Sequence, residues 1–439
     1  MNESSIEPKK KRKWLQVVIW IVVVLIILIM LLGSITYFLN LFCGQDSSLP
    51  NDQDLLLSMA SVPREQNSYF DLLKLSSVSN EDTVTQPEIK INIPDGIKEN
   101  EITTQYLESY NWNRNLISEL IEKNTEVLET YNMAAKKDQF QYDLTADPKN
   151  INLNMPVIGL NGWRQISRIS AIKAIYLMRQ GNDELAFEEA MKSVIIGHKI
   201  EESKNVPLIA YLVGISMKKT GLETMQVLIR RSIAGPDILT HYQNEILKYQ
   251  MANNSDPFKG EYMVQKNIIL NLTPTDIKSF LKSEALIFPV TNFYYKPYQT
   301  LQIMIDHKRQ QIARFERMCD DKTMPKLEYK PTFSWKLYFT ENALGKILIS
   351  LGDVALENVH IKKCAGDLMI NTTDILFAIK KYYLENNSYP SNLQNLVPKY
   401  IDELPIDPYS GESFIINSNK KELKAADNSI FSYDFEVID

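Results

Sequence analysis

The longest apolar run in the chain is Val17 to Leu32, VVIWIVVVLIILIMLL, whose only polar side-chain atom is the Trp20 indole nitrogen. With its flanks, Leu15 to Leu39, it would rise about 37 Å as a helix, enough to cross a bilayer core of about 30 Å with some tilt. The pattern therefore predicts a transmembrane helix over 14–39. Residues 40–95 lose this character, being rich in Ser, Asn, Asp and Gln with Pro50, Pro63, Pro87 and Pro94, and read as a stalk. From Glu101 apolar positions recur at spacings near three and four: Tyr106, Leu107, Tyr110, Leu116, Ile117, Leu120, Ile121, Val127, Leu128 and Tyr131. No Gly or Pro intervenes, so one long amphipathic helix is expected there.

A succession of helical hairpins follows the Pro- and Gly-bearing connection 138–162. Helices are expected over 163–178 and 184–201, joined by a Gly181-Asn182-Asp183 turn that supplies an N-cap candidate. Pro207 opens another reaching about Lys219, Gly221 to Arg231 makes a short one, and Gly235-Pro236-Asp237 starts 238–249. The Gly181–Ala186 phrase is similar to the turn of tetratricopeptide-type pairs, but no 34-residue period follows, so stacked α-hairpins are expected and not a repeat array. Further helices are expected over 258–271, 275–288, 297–318, 341–361 and 367–386. The aromatic cluster Phe293-Tyr294-Tyr295 with Tyr298 fits either a buried core face or an exposed patch, the former being commoner.

The C-terminal 366–439 carries the most specific pattern. Its helix runs into Tyr389-Pro390, then Leu393, Leu396 and Val397, then Leu404-Pro405-Ile406-Asp407-Pro408-Tyr409-Ser410-Gly411, and finally short β-type runs over 413–417 and 430–437. Pro390 ends the helix, the Tyr389 ring covers its end, and Asp407 to Gly411 is a turn reversing the chain into a small sheet. The expected fold is mainly α: an N-terminal transmembrane helix, an exterior α-helical hairpin body and a small α+β C-terminal module. The expected parts are a basic tail 1–13, the span 14–39, the stalk 40–95, a hairpin domain 96–250, a second helical region 251–365 and the module 366–439.

Charge sets the orientation. Lys9-Lys10-Lys11-Arg12-Lys13 precede the span, and Lys and Arg are then absent until Arg64, so the positive-inside bias places the N-terminus in the cytoplasm and the bulk of the chain outside it. A cleaved signal peptide would need an apolar region of only 7–15 residues and a small-residue cleavage site; here the run is longer, and Phe42 disfavours lipoprotein processing at Cys43. The expected location is the cytoplasmic (inner) membrane, with the lipid bilayer as a partner through residues 14–39. The whole chain carries −6, and the +3 tail leaves −9 on the exterior. That acidity argues against nucleic acid, which requires a basic face. Of the three cysteines, Cys43, Cys319 and Cys364, no pair has metal-ligand spacing; a Cys319–Cys364 disulfide fits an oxidising compartment.

Assembled chemistry is scarce. Glu357-x-x-His360 matches half of a di-iron carboxylate motif, which needs two such halves and two further glutamates, and His198-x-x-Glu201 runs backwards. His241 and His307 complete the histidines, expected with the others to be exposed or at helix ends. The pairs Glu188-Glu189 and Glu201-Glu202 diverge on a helix as solvated faces do. No nucleophile elbow, zinc-protease motif or Walker-type loop is present. No catalytic residue, metal ligand or cofactor is therefore expected.

The order Tyr389-Pro390, then Leu404-Pro405-x-Asp407-Pro408 and a small sheet resembles the C-terminal half of the major pseudopilins of type II secretion systems, over about 75 residues. More widely, through Lys296–Leu301 and Gly345–Leu348, the chain looks like bacterial single-pass membrane proteins that pair a helical exterior with such a tail, and that likeness implies no activity. The chain departs from pseudopilins at its span, where Lys13-Trp14-Leu15-Gln16 offers neither the Gly-Phe processing step nor the following Glu. Some pseudopilins bind calcium near their C-terminus; Asp427, Asp434, Glu436 and Asp439 are acidic here, but the glycine-rich ligand loop is missing, so solvated acids are expected. The resemblance marks Tyr389, Pro390, Leu404, Pro405, Asp407, Pro408 and Gly411 as structural or interaction residues. The expected role is a non-enzymatic envelope protein that contacts a protein partner. The alternatives are an exported hydrolase with a carboxylate-based site, which would need a deep pocket lined by two or more carboxylates, and an accessory part of a secretion or pilus-like assembly.

Overall fold

The computed structural model describes residues 8–43, 45–57, 62–79, 84–95, 97, 113–141, 157–203, 206–250, 254–272, 293–317, 319, 340–353, 357–425 and 432–436. The chain is mainly helical with small antiparallel sheets. Helix α1, Pro8–Cys43, contains the apolar stretch Val17–Ile35 with a mean hydropathy of 3.3 and none of it buried. It is long and apolar enough to cross a membrane. Backbone packing divides the chain into two compact units, Met1–Asn51 with Ile269–Met304 and Tyr329–Gly352, and Asp52–Ile268 with Ile305–Glu328 and Asp353–Asp439. These units cut across the boundaries expected at 250 and 365.

In the larger unit the expected stalk is largely built into the body. Helix α2, Tyr69–Lys74, is followed by strands β1, Val78–Ser79, and β2, Val84–Thr85. Tyr69, Leu72 and Leu75 join one apolar core with Trp163, whose indole N–H donates to the Leu72 carbonyl at 2.9 Å. A fully buried tryptophan needs that partner, and the bond fixes where α2 lies. Further upstream, Asp52 accepts from the Tyr262 hydroxyl and Lys266, and Arg309 forks onto Asp54 at 2.8 and 2.9 Å.

Two helices, α3, Arg114–Lys123, and α4, Thr125–Lys136, stand where one was expected; residues 101–112 lie outside the described residues. The break is at Asn124, which is fully buried. Its amide donates to the carbonyls of Leu120 and Asn92 at 2.7 and 2.6 Å and accepts from the Asn92 amide at 2.8 Å, stitching an extended segment to the helix ends. Strand β3, Val157–Ile158, completes a sheet of order β2-β1-β3.

Helices α5, Asn161–Arg179, and α6, Asp183–Glu202, form the expected hairpin, with Gly181 at φ +78° making the turn. Helix α7 runs unbroken from Leu208 to Arg231, where two pieces were expected. Gly221 does not interrupt it; a Cβ there would meet Val194 Cγ2 at 2.7 Å and the Ala190 carbonyl at 2.9 Å, so the glycine admits α6. Gly197 and Gly214 act likewise from the two sides of the α6–α7 contact. A Cβ on Gly197 would stand 2.5 Å from the Gly214 carbonyl and 2.6 Å from the Lys218 amide nitrogen, both backbone atoms. Gly197→Ala is therefore expected to destabilise the fold by roughly 1–3 kcal/mol through overpacking, measured by denaturant unfolding of the detergent-solubilised chain.

Helix α8, Pro236–Leu247, begins with proline at its first turn, a position where the missing N–H costs nothing. Helix α9 spans Asp256–Asn271 and α10 spans Pro297–Phe315; the expected helix at 275–288 lies outside the described residues. Helix α11, Ala343–Asp353, precedes α12, Glu357–Asn386, which continues through Gly366 where two helices were expected to meet. The C-terminal module follows as a 3-10 turn, Leu393–Leu396, and three strands, β4 (Ile415–Asn417), β5 (Glu422–Lys424) and β6 (Ser432–Asp434), paired in that order. Strand β5 was not expected. The module does not stand apart: Leu396, Phe414, Leu423 and Phe435 share one apolar core with Phe377 of α12, Phe187 of α6, Leu228 of α7 and Leu239 of α8.

In the smaller unit, Phe293, Tyr294 and Tyr295 are buried, as the commoner reading of that cluster has it. Asp46 accepts from the amides of Tyr298 and Gln299 at 2.8 and 3.1 Å, capping the start of α10 with a side chain far away in sequence. Asn342, at φ +56°, accepts from the Lys296 amide at 2.9 Å and the Thr300 hydroxyl at 3.1 Å.

Candidate functional site

A cavity of about 490 Å³ opens between α8, α12 and the loop 398–405. Helical spacing builds two of its walls. Thr240, Gln243, Asn244 and Leu247 recur at three and four along α8, and Asn371, Asp374 and Lys381 share a face of α12. Tyr400, Asp402 and Glu403 come from the loop, with Lys399 and Pro405 beside them. Its floor is buried (Gln243, Asp374, Lys381, Ile401), and its rim is exposed (Thr240, Asn244, Lys399, Asp402, Glu403).

Side-chain hydrogen bonds hold these walls in place. The Gln243 amide donates to Asp374 Oδ1 at 2.6 Å, and to the Asp374 and Tyr400 carbonyls at 3.3 Å each, tying α8 to α12 and the loop. Asn371 donates to the Ile406 carbonyl at 2.9 Å. The Tyr400 hydroxyl donates to Glu385 at 2.6 Å and accepts from Asn386 at 3.1 Å, and Lys399 pairs with Glu385 outside the cavity. Lys381 donates to the Thr240 hydroxyl at 3.4 Å.

Burial pushes the Asp374 carboxyl up to about 6, with Asp402 adding to the rise; Gln243 and Lys381 only partly offset them. The Lys381 ammonium is pulled down by burial, against the pull of Asp374 and Asp402. A carboxyl raised on folding keeps its proton in the native state over a range where the unfolded chain has lost it. Asp374 therefore lowers stability as pH rises from about 4 to 6. In Asp374→Asn, which keeps an oxygen for Gln243, that loss is expected to vanish. Relative to the parent the variant should gain on the order of 2–3 kcal/mol between pH 4 and 7, read by denaturant unfolding at each pH.

Of the residues marked by the pseudopilin resemblance, Pro405 belongs to the cavity lining, and most of the others are fixed in structural contacts. Tyr389 stacks on Tyr383, with centroids 4.7 Å apart, and lies 5.2 Å from Phe435. The Pro390 carbonyl accepts from the Ser418 hydroxyl at 2.6 Å, Leu404 packs on the shared core, and Pro405 lines the cavity. Asp407 is fully buried. Its carboxylate accepts from the Tyr409 amide at 3.0 Å and the Ser410 hydroxyl at 2.9 Å, and its carbonyl from the Gly411 amide at 2.8 Å. With Gly411 at φ +71°, Asp407-Pro408-Tyr409-Ser410-Gly411 forms the expected chain-reversing turn. Of the acids weighed for calcium, Asp427 and Asp439 lie outside the described residues, and Glu436 pairs with Lys421.

One expectation about charged side chains is corrected. Glu189 and Glu201 are buried, not solvated. Glu189 accepts from Ser170 at 2.7 Å and pairs with Lys173 at 2.8 Å and Lys192 at 2.9 Å; burial works to raise its carboxyl, but the two lysines outweigh it and hold it low. Glu201 pairs with the buried Lys218 at 2.9 Å, and burial raises it to about 7. Two of the histidines are buried near helix ends, which the expectation of exposed or helix-end imidazoles allows. His198 is buried, its imidazole pushed down to about 4 by burial and by Lys218, so it is neutral at pH 7 and its Nε2 lies 3.2 Å from Glu202. His360 is also buried, 3.6 Å from Cys364, which is disulfide-bonded to Cys319. Lys173 and Lys218 reach these acids from neighbouring helices, where no local spacing announces them; only Lys192 stands at helical spacing from its acid, three residues after Glu189. No protein-family model, curated protein or solved structure matches the chain.

Proposed function

We propose that this is a single-pass protein of the cytoplasmic membrane, N-terminus inside, whose exterior body works by binding a partner through the cavity between α8, α12 and loop 398–405. Three features support this placement: the basic cluster at the start of α1, the unburied apolar stretch that follows it, and the Cys319–Cys364 disulfide, a bond that persists in oxidising compartments. The binding role is carried by the cavity itself, whose volume lies within the range of ligand sites and whose floor is pre-set by Gln243. The pseudopilin-like tail contributes one wall, which is compatible with a place in a larger envelope assembly.

The test is site-specific photo-crosslinking of the full chain in native membranes. A probe at Asn244 on the rim should give a discrete adduct that a probe at exposed Glu129 does not. Equal labelling from both positions, or none from the rim, overturns the proposal. A second reading is favoured by one observation: three carboxylates, Asp374, Asp402 and Glu403, line the cavity, as a hydrolase site would require. Turnover of envelope glycans or peptides by the purified chain, lost in Asp374→Asn, would replace binding with catalysis.

A further inference from the structure

Resting on the cavity as the binding site, we infer that its ligand is an organic cation, a primary ammonium on a flexible chain that enters over Asp402 and Glu403 and ends on Asp374. The charge arrangement carries this. Three carboxylates line the space. Of the two lysines there, Lys399 spends its charge on Glu385 outside the cavity, which leaves Lys381 as the cation at the floor. The lining is thus short of positive charge once the acids ionise.

Two further features choose the kind of cation. A space of about 490 Å³ is far larger than a bare metal ion fills, and the Lys381 ammonium at the floor opposes a close-packed divalent site. Side-chain amides of Asn244, Gln250 and Asn371 are placed on the walls to meet a polar organic body. Asp374 has one oxygen engaged by Gln243 and is faced by Lys381 from its own helix and by Asp402 from the loop; α8 brings no charge against it. An arriving ammonium would favour its ionised form, so binding would release a proton below about pH 6.

The shared chemistry has two sources, a free polyamine and a lysine side chain presented by a protein. Calorimetry on the detergent-solubilised full chain separates them, with spermidine as one probe and a blocked Ala-Lys-Ala peptide as the other. The same peptide with acetylated lysine and calcium chloride serve as controls. At least one ammonium probe should bind, about tenfold more tightly at pH 7 than at pH 5, and acetylation should abolish peptide binding. Asp374→Asn should weaken binding more than tenfold and flatten the pH dependence. Glu403→Gln, an exposed rim change that leaves the floor untouched, should weaken it several-fold. Binding of calcium or of acetylated peptide in place of the ammonium probes overturns the inference. No binding of either probe, with rim crosslinks still present, also overturns it while the binding cavity stands; loss of both removes the two together.

Discussion

Lys218→Met is expected to cost the fold about 3–5 kcal/mol at pH 8, because it strands the Glu201 carboxylate in the interior without its partner. The cost should shrink towards pH 5. Glu201 is already raised to about 7 with Lys218 present, and without that cation it would be raised further. At low pH the stranded acid takes a proton and the penalty is that of a neutral polar group; at high pH the proton must be lost to water or the charge kept in the core. The sign follows from proton counts: the native variant would hold a proton that the unfolded chain releases above about 4.5, so its stability falls as pH rises through that window. The double variant Glu201→Gln with Lys218→Met should recover most of the loss, since it leaves no buried charge. Denaturant unfolding of the parent and the two variants at pH 5 and pH 8 checks this, and an equal cost of Lys218→Met at both pH values would show that Glu201 is not the stranded group.

The same pair shows where sequence and structure part. The turn at Gly181 and the two helices around it were legible, because periodicity and a glycine's positive φ are local, although Asn182 makes no side-chain cap bond. Glu201 was misread as solvated, because its burial depends on Gly197 and Gly214 letting α7 come close enough to deliver Lys218. Gly221 was misread as a helix break for the same reason: the residue that ends a helix in isolation admits a neighbour when one is packed against it. The Asp407–Gly411 turn was legible since the backbone and Asp407 side-chain bonds that shape it lie within six residues, Asp407 to Glu412. The cavity was not. Gln243 and Asp374 are 131 residues apart, and neither stands in a motif. The stalk failed as a reading because the polar composition of 40–95 masks scattered apolar positions, Tyr69, Leu72, Leu75, Val78, Ile89 and Ile91 among them, that pack on the core containing Trp163.

Opening the Cys319–Cys364 bond should lower the stability of the larger unit by about 4 kcal/mol. The estimate follows from the loop it closes, 45 residues by sequence separation, whose freedom in the unfolded chain the cross-link removes. Native contacts nearby would survive reduction. Lys363 donates to the Phe315 carbonyl at 3.2 Å and lies 4.8 Å above the Phe315 ring, so the end of α10 stays on α12 without the sulfurs. The loss should therefore appear in unfolding and not in the native circular dichroism. Cys319→Ser with Cys364→Ser should reproduce the effect of reductant and make the chain insensitive to it. Because the bond forms only where thiols are oxidised, the same pair reports orientation. In intact cells a membrane-permeant maleimide should leave both cysteines unlabelled until reductant is added. Ready labelling without reductant would place the body in a reducing compartment, and the proposed topology would fall with it.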